Sequence, residues 1–189
     1  MGMASVSHNN WTVAKLHALP DDGKRHEIID GVLYVTPSPA WSHQVLLSRL
    51  FLLIGPYCQS VGIDAYFSPA DLRSSERTVV QPDLFVVPRI EGEPIREFPR
   101  TSSLLLVVEA LSRSTARRDR TIKRELYQSQ GVPEYWIVDG GARAIERWRP
   151  GLDAPEILQH TLVWHPVPAH EPLEVDLPDY FRRALGEPG

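Results

Sequence analysis

The sequence predicts an α/β protein, a mixed β-sheet flanked by helices. Three observations carry that prediction. The run Leu104–Val108 is apolar without alternation, as expected of a strand covered on both faces. Val45, Leu46, Leu50, Leu53 and Ile54 recur at helical spacing within residues 42–60. A second helical stretch, residues 115–130, separates the apolar strand from the next one, residues 134–139. With 189 residues, 42% hydrophobic and 23% charged, the whole chain reads as a single domain able to bury a proper core.

The elements follow in order. Residues 1–10 are read as disordered. Trp11–Leu19 forms a short amphipathic helix, ended by Pro20 and the turn Asp21-Asp22-Gly23. HEIIDGVLYVTP supplies two short strands around Asp30-Gly31, a strong hairpin signal. The helix over residues 42–60 is expected to shorten or kink at Gly55-Pro56. Strands are predicted at residues 63–67, 70–73, 83–87 and 104–109. The helix over 115–130 takes Ser114 or Thr115 as N-cap and Gly131 as its stop, with Ala116, Ile122, Leu126 and Ser129 on its buried side. A strand over 134–139, with Tyr135 and Trp136 in the core, turns through Gly140-Gly141 into residues 142–149, which makes Asp139 a turn residue. The proline-rich remainder holds strand-like residues 157–164 and an irregular tail.

Several classes of function are set aside by composition. No apolar stretch approaches the ~18 residues needed to cross a bilayer, and the N-terminus lacks the apolar core of a secretory signal. A cytoplasmic protein without a membrane partner is expected. The one cysteine, Cys58, lies in an apolar helical segment and reads as a buried thiol; it rules out an internal disulfide or a multi-cysteine zinc site. The net charge of −4 argues against a uniformly basic nucleic-acid binder. Arg113, Arg117, Arg118, Arg120, Lys123 and Arg124, set against Asp119 alone, nevertheless form a local basic face able to hold phosphate. The same run also reads as a solvated helix surface.

Two acids stand out. Asp83 follows Pro82 at the start of an apolar run, and Glu109 closes another. A carboxylate in such a place binds a cation, accepts strong hydrogen bonds or stays protonated, because burying it unpartnered is costly. Taken singly, Asp83 also fits a turn cap, and Glu109 a buried ion pair with the arginines that follow. Lys123 either pairs with Asp119 one turn back or reaches toward the carboxylates, with Tyr127 one turn further on. Glu27 shares a strand face with Ile29. The four groups together point to a divalent-metal site that acts on phosphate.

The segments HEIIDG, SPAWSHQ, QPDLFVV, VVEALS, the spaced Lys123 and Tyr127, and GVPEYWIVD occur in an order that resembles the Uma-two family of bacterial endonucleases, within the PD-(D/E)XK superfamily. The resemblance covers about residues 26–139. It implies a restriction-endonuclease-like fold in which Asp83 and Glu109 are the two acids of the motif. The superfamily's lysine would fall at Leu111 and is absent; Lys123, from the following helix, is its natural substitute. Glu27 matches the acid of the early motif and would complete the metal shell. His43 falls at a family position, although a lone histidine at a helix start also reads as a cap or surface group.

The chemistry expected of such a site is magnesium-dependent (or manganese-dependent) hydrolysis of DNA. Asp83, Glu109 and the main-chain carbonyl of Ala110 would hold Mg2+ or Mn2+, since hard oxygen donors favour these ions over zinc. Lys123 would orient water or stabilise developing charge, and Arg117, Arg118 and Arg120 would contact flanking phosphates. A catalytically inactive module of the same fold, binding nucleic acid or protein, is the alternative raised by Leu111. A hydrolase of small phosphate compounds is a third reading, separable by its weaker salt dependence. A homodimer suits an enzyme that cuts both strands, with Trp148 and Trp164 as candidates for its interface.

Overall fold

The computed structural model describes residues 5–7 and 10–188. Ser5–Ser7 (β1) pairs antiparallel with Val32–Thr36, so this part of the terminus is ordered where disorder was expected; residues 1–4 and 8–9 lie outside the described residues. Val13–His17 (α1) is capped by the Thr12 hydroxyl, which accepts from the Lys15 amide. Arg25–Ile29 (β2) and Val32–Thr36 (β3) form the expected hairpin, with Asp30 and Gly31 both at positive φ, 51° and 80°. That is the backbone a two-residue turn of this twist requires.

Trp41–Ser60 (α2) continues through Pro56 and is not shortened there. The carbonyl that loses its donor belongs to Leu52, an exposed residue, so water can satisfy it. Ile63–Phe67 (β4), Leu72–Ser75 (β5), Thr78–Val80 (β6) and Leu84–Pro88 (β7) follow. After a 3-10 turn at Thr101–Ser103 comes Leu106–Ala110 (β8). The next helix has three parts: an α turn at Ala116–Arg118 (α3), a π turn at Asp119–Lys123, and Arg124–Ser129 (α4). Thr115 is its N-cap, one of the two residues expected, but its side chain makes no capping bond; the Ser112 hydroxyl accepts from the Thr115 amide instead. Gly131, at φ 75°, stops it as expected.

Glu134–Asp139 (β9) and Ala144–Trp148 (β10) are joined by the predicted turn, in which Asp139 Oδ1 accepts from the amides of Gly141 and Ala142. The tail is regular where irregularity was expected. Glu156–Leu158 (β11) extends the sheet, Thr161–Trp164 (β12) pairs with Leu173–Asp176 (β13), and Leu177–Ala184 (α5) packs on α2.

The strands form two main sheets, not one. The first has the order β1-β3-β2-β6-β5, the second β11-β10-β9-β8-β7-β4. In the second, β8 runs parallel to β9, and the three-part helix is the crossover between them. One face of this sheet meets α2 and α5 through Leu50, Ile54, Val86, Val108, Trp136 and Phe181. The other buries Phe85, Val107, Tyr127, Tyr135 and Ile137. Covered on both sides, β7 and β8 need no polar face, which is why their sequences do not alternate. Cys58 is fully buried, as expected, and burial pushes its thiol up to about 12. Trp148 and Trp164 are also buried in these cores, so neither offers an interface. Among the described residues no helix is long and apolar enough to cross a membrane.

Candidate active site

The two sheets meet where the chain leaves β6, passes Gln81-Pro82-Asp83 and enters β7. That crossing puts Asp83 beside Glu109, near the end of β8, and beside Glu27 on β2. The Gln81 amide donates to Glu27 Oε1 over 2.9 Å, and the Ala110 amide donates to Asp83 Oδ2 over 2.9 Å. Backbone contacts thus fix both carboxylates to their sheets.

Lys123 closes the group from the helix. Its Nζ donates to Glu109 Oε1 at 2.7 Å and lies 2.8 Å from Glu27 Oε1, and the side chain is 0% exposed. The Tyr127 hydroxyl donates to the same Glu109 oxygen at 3.3 Å. Thr115, Asp119, Lys123 and Tyr127, each four residues after the last, are all buried. The helix therefore presents a polar stripe inward beside Ile122 and Leu126, which pack on the core as expected, whereas Ala116 is half-buried and Ser129 is exposed. The π turn falls within this stripe, at Asp119–Lys123; such turns often mark functional sites.

Three residues join the site that sequence reasoning had left out or discounted. Arg25 donates from Nη1 to Asp83 Oδ1 at 2.8 Å. It lies two residues before Glu27 on the same strand face, a period-two signal that was available in the sequence. His43, expected at the surface or in a cap, is largely buried with Nε2 3.2 Å from Asp83 Oδ2. Asp119, read as a solvent-side partner for Lys123, is buried beside Arg118. Tyr135 donates to the Asp119 carbonyl at 3.1 Å and ties this turn to β9.

The predicted phosphate-binding arginines part company. Arg118 points inward, 3.2 Å from Glu27 Oε2 and stacked on Tyr34, its guanidinium 5.4 Å from the ring centroid. Arg117 is exposed. Arg120 is held by Glu146 and Asp139 on the β9–β10 hairpin, so the structure does not bring it to the carboxylates.

A cavity of about 410 Å³ opens over the cluster, with Arg25, His43, Asp83, Glu109, Ala110 and Arg118 in its walls. Lys123 and Glu27 lie behind those walls, both 0% exposed. Among the described residues only Oε1 of Glu109 accepts side-chain hydrogen bonds, which leaves Oε2 free for a ligand. In extended backbone the N–H and C=O of one residue face the same neighbour, so the Ala110 carbonyl shares the Asp83 side of β8 with its amide.

The charges do not balance. Four acids, Glu27, Asp83, Glu109 and Asp119, face three permanent cations, Arg25, Arg118 and Lys123. Burial raises the Asp83 carboxyl, but His43, Arg25 and Lys123 outweigh it and hold the group well below the usual carboxylate range. Glu27 is likewise lowered, burial being overcome by Lys123, Arg118 and Arg25. Glu109 bears the surplus. Burial, against the pull of Lys123 and with repulsion from Asp83, Asp119 and Glu27, pushes it up to about 8. Burial also raises Asp119.

An all-oxygen donor set with one acid in excess of the cations, able to give up its proton to a bound ion, fits a hard divalent cation. Among the described residues no three of His, Cys, Asp and Glu converge on one point. That is compatible with Mg2+, which keeps several waters and needs only one or two carboxylates.

Comparison with known proteins agrees with this architecture. A family model, Uma2, described as "Putative restriction endonuclease", matches residues 13–178. A solved structure from Anabaena variabilis ATCC 29413, described as a "putative nuclease belonging to DUF820", is similar with a TM-score of 0.73 and 18% sequence identity, over 92% of this chain and 99% of that one. At that identity the likeness concerns the fold, here restriction-endonuclease-like. No curated protein matches.

Proposed function

Because the chain belongs to the Uma2 family, we propose that it is a magnesium- or manganese-dependent endonuclease that hydrolyses DNA phosphodiester bonds. The observation that carries this reading is the pair Asp83 and Glu109, contributed by different segments, buried, and opening on one cavity, in a cluster with one acid more than it has permanent cations. Asp83, Glu109 and the Ala110 carbonyl would hold the ion. When bound, Mg2+ supplies an acidified water and neutralises phosphoryl charge.

The chain's own residues divide the remaining work. Arg25, in the cavity wall and bonded to Asp83, is the cation placed to face a phosphate oxygen. Arg118 flanks it from the helix. Lys123 does not reach the cavity, so its role is to position Glu109 by holding Oε1 and leaving Oε2 directed outward. That revises the role expected from the sequence, in which Lys123 met water or the phosphate directly. The replacement of a motif lysine by Leu111 is then no defect, provided that Arg25 supplies the charge at the cavity.

The test is nicking of supercoiled plasmid in Mg2+ and in Mn2+ by the full chain. Asp83→Ala is expected to lower the rate by at least about 10²-fold, the usual cost of one electrostatic stabiliser. A variant that nicks as fast as the wild type would refute the assignment. Binding of a short duplex over a salt series gives a second outcome. Arg117→Ala should reduce the salt slope by about one, whereas Arg120→Ala should leave it unchanged, because Arg120 is already neutralised by Glu146 and Asp139.

A further inference from the structure

A second cavity, of about 400 Å³, lies against the first and shares two wall residues with it, Arg25 and Asp83. The remaining walls differ in character. Leu47, Phe51 and Leu52 come from α2, and Phe67 ends β4, the edge strand of the six-stranded sheet. Phe51 and Phe67 meet edge to face, with centroids 5.2 Å apart and planes at 81°. Phe67 is 62% exposed, and Leu52 likewise. The further polar groups are Gln44 and Ser48 of α2, one turn apart, and Ser68, whose hydroxyl donates to the Pro82 carbonyl.

This is the chemistry of a nucleobase inverted: two apolar faces and a hydrogen-bonding edge. An aromatic ring backed by a second ring stacks any base, because every base has a π-face. Continuity with the cleft identifies the occupant. A strand whose phosphate lies over Asp83 has its next nucleotide beside Arg25 and Asp83, at the mouth of this cavity. A paired base is held inside the duplex and cannot enter, so the cavity selects a base already unpaired or turned out. A protein segment seated there would cover Asp83 and Arg25 and close the site.

We propose that the Phe67 cavity binds an unpaired nucleobase of the substrate strand next to the phosphate that is cleaved, so that the enzyme prefers single-stranded or locally unpaired DNA to intact duplex. The inference rests on the nuclease reading for the position of the phosphate, and it has a readout that needs no cleavage.

Binding would be measured for the full chain, with Ca2+ replacing Mg2+, using a fluorescein-labelled single strand, its perfect duplex, and a duplex with one unpaired 2-aminopurine. The wild type should bind the first and third more tightly than the perfect duplex and should quench the 2-aminopurine. Phe67→Ala should weaken those two by about 5- to 150-fold and leave the perfect duplex unaffected, and Phe67→Trp should restore them. Phe67 is exposed, so its replacement leaves the core intact. Equal loss on all three ligands, no loss on any, or a wild type that prefers perfect duplex would overturn the proposal. So would sedimentation showing that Phe67→Ala splits a dimer, because the face would then be an interface between copies. Plasmid nicking separates the two readings. Base-selective binding without nicking refutes the nuclease alone; nicking with an indifferent Phe67→Ala refutes the cavity alone.

Discussion

Replacing Lys123 with methionine is expected to destabilise the fold by about 3–5 kcal/mol, the cost of removing one partner from a buried ion pair. The lysine is fully buried between Glu27 and Glu109, so its loss leaves Glu27 without its closest counter-charge in an enclosed site. Methionine keeps the volume and removes the charge, so the loss measures electrostatics and not a cavity. Urea unfolding of the two proteins checks it, with an unchanged slope showing that only stability moved. Adding Glu27→Gln to Lys123→Met should recover most of the loss, because Glu109 already retains a proton at neutral pH. A cost below about 1 kcal/mol, the range of exposed pairs, would mean that Lys123 is solvated and the cluster is not as described.

Glu109→Gln should do the opposite to stability while removing activity. The Glu109 carboxyl is raised from 4.5 to about 8, chiefly by burial. Over that window the folded chain holds a proton that the unfolded chain has released. Its stabilising contribution is therefore complete below about pH 4.5 and is lost as pH rises through about 8. Asp119, also raised, acts in the same direction. Glu27 and Asp83, both lowered, act in the other: their contribution is present above the ordinary carboxylate range and fails only in acid. Glutamine imitates the protonated acid at every pH. In metal-free buffer the variant should match the wild type near pH 5 and exceed it by about 3–5 kcal/mol near pH 9, because each pH unit between the two titration points contributes about 1.4 kcal/mol. Nicking should fall by at least about 10²-fold. A wild type that gains stability between pH 5 and pH 8, in step with the variant, would show that Glu109 is not strained by its neighbours.

Much of this site was legible in the sequence, for a definite reason. A carboxylate that interrupts a strand of Val and Leu is costly anywhere but at a site, so Asp83 and Glu109 could be picked out without any structure. For Lys123, helical spacing left two readings open, and the family resemblance favoured the one that reaches the carboxylates. What could not be read was direction. Arg118 and Arg120 are two residues apart in one basic run, yet one turns in to Glu27 and the other out to Glu146 and Asp139. Residues two apart on a helix point to nearly opposite sides; which of the two turned inward was decided by the partners the fold supplies, Glu27 on β2 for Arg118 and Glu146 on β10 for Arg120. The two-sheet arrangement was hidden for a similar reason: β5 and β6 have four and three residues, too few for alternation to register. The tail looked irregular because its prolines outweighed the short strand and helix between them, which gain stability by packing on α2 and not from propensity.

The most direct measurement is Mn2+ binding, followed by the loss of the free-ion electron paramagnetic resonance signal, for the wild type, Asp83→Ala and Glu109→Gln. Saturable uptake by the wild type that is abolished in Asp83→Ala and strongly weakened in Glu109→Gln is the expected result. Uptake that is equal in all three proteins, or absent from the wild type, would contradict a metal-dependent nuclease built on these two acids.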